Sequence, residues 1–306
     1  MSMRYPAGFI SAFYNPLKNP DAPTIGTATG GVASLSVTFT APTNVGGSAI
    51  TSYIATAKRT SDGVLFTASG ASSPITVTGL TAVAFTATVV AVNSYGPSAS
   101  SAASNSVTPL VIGAAFGGGF FAGQISTAGN SIADYNLVVG PVASAQAIRQ
   151  WKTSNTTTAG TSSVIDGPAN STAMNNASHP AAQFCEGLTI GGFSDWYMPA
   201  KNELEVCYYN LKPTTTSNST GSGINANAVP ARASNYTAGT PAQTSATDFK
   251  DTGAEDFVLT ENYWASTEYS ALFGWIQFFG TGEQSNDYKN NAYSSVRVRA
   301  IRRVAV

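Results

Sequence analysis

The chain has 306 residues, a formal net charge of −1, and only 10% charged residues, where about a quarter is usual. A hydrophobic share of 43% excludes a disordered polyelectrolyte. The near-neutral balance excludes the strong field that draws nucleic acid or anionic lipid to a surface.

Residues 1–20 read as an arm. Tyr5, Phe9, Ile10, Phe13 and Tyr14 place five large apolar side chains within ten residues, a segment too short to bury them by itself. Such a patch docks on a partner or packs on the next domain. Docking is the favoured reading, and these five are the candidate docking residues. Arg4-Tyr5-Pro6-Ala7-Gly8 is not followed by the apolar run of a secretory signal.

Residues 21–109 read as one β-sandwich. Leu35, Val37 and Phe39 alternate with Ser34, Ser36, Thr38 and Thr40, the period of a half-buried strand. Gly46-Gly47 marks a turn, Ile50 and Tyr53 begin another strand, and Phe85, Ala87, Val89 and Ala91 alternate again before the Asn93-Ser94-Tyr95-Gly96 turn. The Gly-Gly-Ser-Ala-Ile-Thr-Ser-Tyr run at 46–53 and the Thr-Gly-Leu … Ala-Val-Asn run at 78–93 resemble fibronectin type III modules. The resemblance implies an all-β immunoglobulin-like sandwich acting as a spacer. In that pattern Phe39 stands where a core Trp is common, and Phe85 where a Tyr is usual.

Residues 110–125 form a Gly-rich connector or first strand, and 111–306 read as one further domain. The stretch from Leu110 to Gly123 is interrupted by five glycines and is too short to span a bilayer, so no membrane insertion is expected. It lacks the Lys-Ser/Thr of a phosphate-binding loop. His179 to Leu188 reads as a short helix, with Phe184, Cys185 and Leu188 on one face. Pro199 to Leu211 reads as a second, because Leu204, Cys207, Tyr208 and Leu211 recur at helical spacing. The polar run 213–260 is too long for a simple connection and suggests a functional or inserted loop. Strands are expected at Gly274–Phe279 and near Ser295–Arg303, where Arg297, Arg299, Arg302 and Arg303 read as an outward face.

Two blocks stand out: Gly191-Gly192-Phe193-Ser194-Asp195-Trp196-Tyr197-Met198-Pro199-Ala200-Lys201-Asn202-Glu203-Leu204 and Tyr263-Trp264-Ala265-Ser266-Thr267-Glu268. They resemble a family of bacterial and phage surface domains, related to the C-type lectin fold, that carries a Trp-Arg-Leu-Pro-Thr block followed by Glu-Leu and then a Tyr-Trp-Ser-Ser-Thr block. Asp195-Trp196, Pro199, Glu203-Leu204, Tyr263-Trp264, Ser266-Thr267 and the Val-Arg-x-Arg ending match. Tyr197, Met198 and Ala200 depart from the pattern. The resemblance implies an α+β C-type-lectin-like domain over 111–306, behind the fibronectin type III sandwich in a multidomain chain. Trp196 and Trp264 then serve as framework, and Glu203 caps or pairs.

Neither catalysis nor a cofactor is indicated. Cys185 and Cys207, 22 positions apart, lack the close pairing of the related formylglycine-generating enzymes. They read as buried free thiols, with a disulfide between the two helices as the alternative. The lone His179 precedes Pro180 and reads as a surface turn residue. No His/Cys zinc cluster is present, and the calcium–sugar tripeptides of true C-type lectins are absent.

Tyr, Asn and Ser gather after the second block, the composition of adaptable binding loops. By analogy with lectin-like phage receptor-binding proteins, Tyr269, Asn286, Tyr288, Asn290 and Tyr293 are candidate ligand-binding residues. The expected protein is a phage virion component, made in the host cytoplasm, whose arm contacts other virion proteins and whose tip binds a host cell-surface glycan or protein. A purely structural capsid or tail decoration protein and a bacterial surface adhesin are the alternatives. Fibre proteins are often trimers, and a homotrimer stays open, although no coiled-coil heptad appears.

Overall fold

A computed structural model describes residues 17–291 and 296–306. The candidate docking residues Tyr5, Phe9, Ile10, Phe13 and Tyr14, and the candidate binding residue Tyr293, lie outside the described residues. The chain divides into two compact units between Val111 and Ile112.

The first unit contains β1 (Thr24–Gly31), β2 (Ser34–Thr40), β3 (Ile50–Arg59), β4 (Leu65–Gly70), β5 (Ile75–Thr78), β6 (Phe85–Asn93) and β7 (Gly96–Pro97). They form an antiparallel sheet in the order β1-β2-β5 and a second in the order β4-β3-β6-β7. This is an immunoglobulin-like all-β sandwich of the fibronectin type III kind. Its alternating residues Leu35, Val37, Val77, Phe85 and Val89 are fully buried between the sheets. Phe39 packs 4.7 Å from the Tyr53 ring, and Phe85 meets Phe66 edge-on at 5.7 Å.

A three-residue period closes the β6 edge after β7. Ser98, Ser101 and Ser104 donate their amides to the carbonyls of Ala91, Val89 and Ala87 at 2.8–2.9 Å. Each serine Oγ accepts the N–H of the same partner, at 3.0, 2.9 and 2.9 Å in that order. The side chains thus supply the acceptors that a paired strand would give, and the edge is satisfied without a long final strand.

In the second unit β8 (Ala115–Phe116), β9 (Gly119–Ile125) and β10 (Tyr135–Val139) precede α1 (Val142–Ala145) and β11 (Gln146–Ile148). Three helices follow: α2 (Gly167–Ala173), α3 (Pro180–Glu186) and α4 (Lys201–Leu211). The remaining strands are β12 (Ala228–Val229), β13 (Asn262–Glu268), β14 (Phe273–Phe278), β15 (Gln284–Tyr288), β16 (Arg297–Arg299) and β17 (Ile301–Ala305). One sheet runs β12-β9-β10-β17, with β8 added to β9, and the other runs β11-β16-β13-β14-β15. The unit's final strand returns to an early one, since β10 pairs with β17 from Tyr135↔Ala305 to Val139↔Ile301. The Gly-rich stretch is therefore partly β8 and β9 of this unit. At Gly119 an added Cβ would stand 2.3 Å from the Val139 carbonyl oxygen, so the close approach of the strands needs glycine there.

Helix α4 is buried on most of its circumference and packs on β9, β12, β13 and β14. Its apolar side chains join Tyr263, Phe257 and Phe279 in one core. Pro199 lies before the helix rather than in its first turn. Ala200 is the N-cap, and its amide is taken by Glu203 Oε2 at 2.8 Å.

Three expectations need correction. His179 is 4% exposed, not a surface residue. The alternation of the final arginines does not mark a solvent face, because Arg299 and Arg302 are buried and Arg297 and Arg303 are partly covered. Arg299 is 1% exposed and donates to the Gly140 carbonyl and to Glu255. Arg302 forks onto Asp195 at 2.7 and 2.9 Å and stacks over Phe193, while Arg303 pairs with Glu203 at 2.8 Å. The 213–260 stretch is also largely framework: β12 joins a sheet, Tyr236, Phe249 and Phe257 enter the core, and Asn218 and Asn225 are buried and hydrogen-bonded.

Candidate functional site: the aromatic face of the β14–β15 hairpin

Strand β15 is an edge of its sheet. Its register with β14 sets Phe273 opposite Tyr288 and Trp275 opposite Asn286. Residues directly opposite on an antiparallel pair share a face. The other face holds Ile276, which enters the core, and Gly274, where an added Cβ would meet Trp151 at 2.9 Å. One face of the hairpin is thus anchored on Trp151, and the other presents aromatic rings.

Those rings form a row. Tyr288 lies 4.5 Å from Phe273, Phe273 is 6.5 Å from Tyr269, and Tyr269 meets Trp275 edge-on at 5.0 Å. Lys201, the first residue of α4, ends the row with Nζ 4.5 Å above the Trp275 ring. Tyr269 and Tyr288 are each 50% exposed, and Leu272 beside them is exposed. Large rings held against one another while open to solvent give contact area at low conformational cost.

A buried polar cluster holds the two tyrosines from below. Lys289, next to Tyr288, is fully buried and pairs with Glu268, next to Tyr269. Its ammonium also donates to the carbonyls of Ala271 and Thr156, both at 3.1 Å, and lies over the Trp151 ring. Lys152 Nζ donates to the carbonyls of Thr156 and Thr157 and to Thr158 Oγ1, at 3.1, 3.0 and 2.9 Å. Thr158 Oγ1 in turn lies 2.9 Å from His179 Nε2. Burial, then the charges of Lys152 and Lys289, push the His179 pKa down to about 4. Loss of water also lowers the Lys289 pKa, against the pull of Glu268.

The candidate binding residues therefore separate. Tyr269, Asn286 and Tyr288 come together on one face, where Phe273, Trp275 and Lys201 join them. Asn290 is exposed beyond β15, with its backbone tied to Gln150 and Asn155. Phe273 and Trp275 carry a detectable signal, since they alternate around Gly274, but their face cannot be assigned until the register with β15 is known.

The other chemistry-bearing groups are engaged in the framework. Trp196 and Trp264 are buried, with their indole N–H groups donating to the carbonyls of Phe193 and Arg149 at 3.1 and 2.9 Å. Glu203 accepts from Tyr197, the Ala200 amide and Arg303. Burial raises its pKa. A cleft of about 700 Å³ is lined by Tyr135, Ser163, Asp166 and Arg303, but Arg303 there is already paired with Glu203 and Asp166. Cys185 and Cys207 are buried free thiols. Among the described residues no cluster of His, Cys, Asp and Glu could hold a metal ion, and no helix is long and apolar enough to cross a membrane.

No protein family and no curated protein matches this chain in sequence. Among solved structures it is similar to titin module A71 from human cardiac muscle, 27% identical, covering 30% of this chain and 91% of that one with a TM-score of 0.26. It is also similar to the fibronectin type III domain of human fibronectin type III domain containing protein 3, 23% identical over 30% of this chain and 87% of that one, TM-score 0.26. Titin kinase with its flanking domains is 25% identical over 30% of this chain, TM-score 0.28, and the chain spans only 17% of its length.

Proposed function

We propose that this chain is a recognition component of a phage virion. Residues 1–20 attach it to another virion protein, the fibronectin type III sandwich is a spacer, and residues 111–306 form a C-type-lectin-like tip that binds a host cell surface. The observation that carries the recognition reading is the pair of half-exposed tyrosines, Tyr269 and Tyr288, held in ring contact with the partly buried Phe273 and Trp275 on an edge hairpin. Exposed tyrosines backed by partly buried rings form the kind of patch that marks interaction sites. The lectin-like reading draws support from the Trp196 and Trp264 blocks in the framework, and from the pairing of β10 with the final strand β17.

Calcium is not required by this reading, because the face offers rings, an amide and an ammonium. The test is competition. Purified full-length chain, incubated with host cells, should block adsorption of particles that carry it, and deletion of residues 1–20 should remove the chain from the particle. Undiminished adsorption at saturating protein refutes the recognition role. Normal incorporation of the truncated chain refutes the docking arm.

A further inference from the structure

One side chain on the aromatic face is not explained by the rings alone. The row runs Tyr288, Phe273, Tyr269, Trp275 and ends at the Lys201 ammonium. Among the described residues, no carboxylate forms an ion pair with Lys201. The neighbouring acidic groups are committed elsewhere. Glu203 pairs with Arg303, Glu205 is buried with Arg232, and Glu268 pairs with Lys289. Asp287 lies opposite Gly274, on the other face of the hairpin, and contacts Asn291. The exposed face therefore has apolar surface along its length and a single positive charge at one end.

The Lys201 ammonium is also partly dehydrated, since burial lowers its pKa while Glu205 pulls weakly the other way. An ammonium already stripped of part of its water gains more from an incoming anion than one in bulk solvent. The cation–π contact with Trp275 fixes its position without neutralising it.

We propose that this row binds a carboxylate-bearing polysaccharide of the cell surface, with sugar rings laid on the exposed tyrosines and a carboxylate on Lys201. Sugar rings have one apolar C–H face that stacks on aromatic rings, and hydroxyl groups that suit the Asn286 amide and the tyrosine hydroxyls. Four rings in successive contact, from Tyr288 through Phe273 and Tyr269 to Trp275, suit several units of an extended chain better than a compact ligand. Charge complementarity selects an acidic chain over a neutral one, which would leave Lys201 without a partner. A peptide added to the β15 edge would rely on backbone hydrogen bonds, which Lys201 does not influence. The proposal rests on reading this face as the recognition surface.

The experiment measures binding of the full-length chain to oligogalacturonate, hyaluronan and alginate oligosaccharides, each beside its carboxyl-reduced counterpart, and to intact host cells with and without periodate oxidation of their glycans. Acidic oligosaccharides should bind about tenfold tighter than their reduced forms, the scale of one charge-assisted hydrogen bond. Lys201→Met should remove that preference, Lys201→Arg should keep it, and Tyr288→Ala should weaken acidic and reduced forms alike. Equal binding of acidic and reduced forms, or a preference that survives Lys201→Met, overturns the proposal. Cell binding that depends on Tyr288 but survives periodate overturns it and leaves the recognition role standing. Absence of cell binding by the wild-type chain defeats both.

Discussion

Acidification from about pH 7 to about pH 4.5 should destabilise the second unit through His179. Asn176 Oδ1 lies 2.9 Å from His179 Nδ1 and also accepts the Ser178 amide, so Nδ1 carries the proton and Nε2 is the acceptor. Thr158 Oγ1 accepts from Lys152 and donates to that Nε2. Protonating the imidazole turns Nε2 into a donor, leaving Thr158 Oγ1 between two donors and adding a third positive charge beside Lys152 and Lys289. The native pKa is accordingly near 4, against 6.5 for the free group. Between these values the unfolded chain binds a proton that the native chain refuses, so stability is present above pH 6.5 and falls as pH drops towards 4. At about 1.4 kcal/mol per pKa unit the loss by pH 4.5 is at most about 2.5 kcal/mol, and screening at the hydrated rim of the cluster reduces it to roughly 1–2 kcal/mol. Tryptophan fluorescence during urea unfolding reads this directly, because Trp151, Trp196, Trp264 and Trp275 all lie in the second unit. Carboxylates titrate in the same window, so the quantity to compare is the pH-dependent loss in wild type and in His179→Gln. The variant should lose roughly 1–2 kcal/mol less. Equal losses refute the assignment.

Three further outcomes follow from the packing. Glu205→Ala strands Arg232, the Tyr236 hydroxyl and the Asn225 amide, which now contact the buried carboxylate; urea unfolding followed by fluorescence should show a loss of about 3–5 kcal/mol, and a loss below about 1 kcal/mol contradicts the network. Ser101→Ala leaves the Val89 amide in β6 without its acceptor and should cost the sandwich about 1–3 kcal/mol, read from hydrogen exchange at the β6 amides. Burial raises the pKa of both Cys185 and Cys207, so a thiol reagent at neutral pH should label neither in the native chain and both in denaturant. Stoichiometric labelling of native protein contradicts their placement.

The sandwich was legible because its strands alternate: Leu35, Val37, Phe85, Ala87, Val89 and Ala91 all point inwards. Helix α4 was legible for the corresponding reason, with Leu204, Cys207, Tyr208 and Leu211 on its buried face. Alternation misled at the last strands. Arg299 in β16 and Arg302 in β17 are buried, and they are tolerated inside because Glu255 and Asp195 meet them. Composition misled at 213–260, where Asn218 and Asn225 are polar but serve as buried hydrogen-bond hubs. His179 was misread because its partners, Thr158 and Asn176, are brought to it by loops without a period. For the candidate site, Tyr/Asn enrichment suggests binding loops, whereas Asn286 and Tyr288 lie on strand β15. The alignment of Tyr269, Phe273, Trp275 and Tyr288 depends on the β14–β15 register and on the Glu268–Lys289 pair, neither of which composition encodes.

The central claim is that the chain recognises a cell surface through this row. The most direct measurement is the binding isotherm of the full-length chain on intact host cells, compared with Tyr269→Ala/Tyr288→Ala. Both side chains are half exposed, so the double variant should keep the wild-type circular dichroism spectrum and unfolding midpoint. Its affinity for cells should fall by about a hundredfold, the scale of losing two aromatic contacts at a binding centre. A folded double variant that binds cells as tightly as wild type contradicts the account.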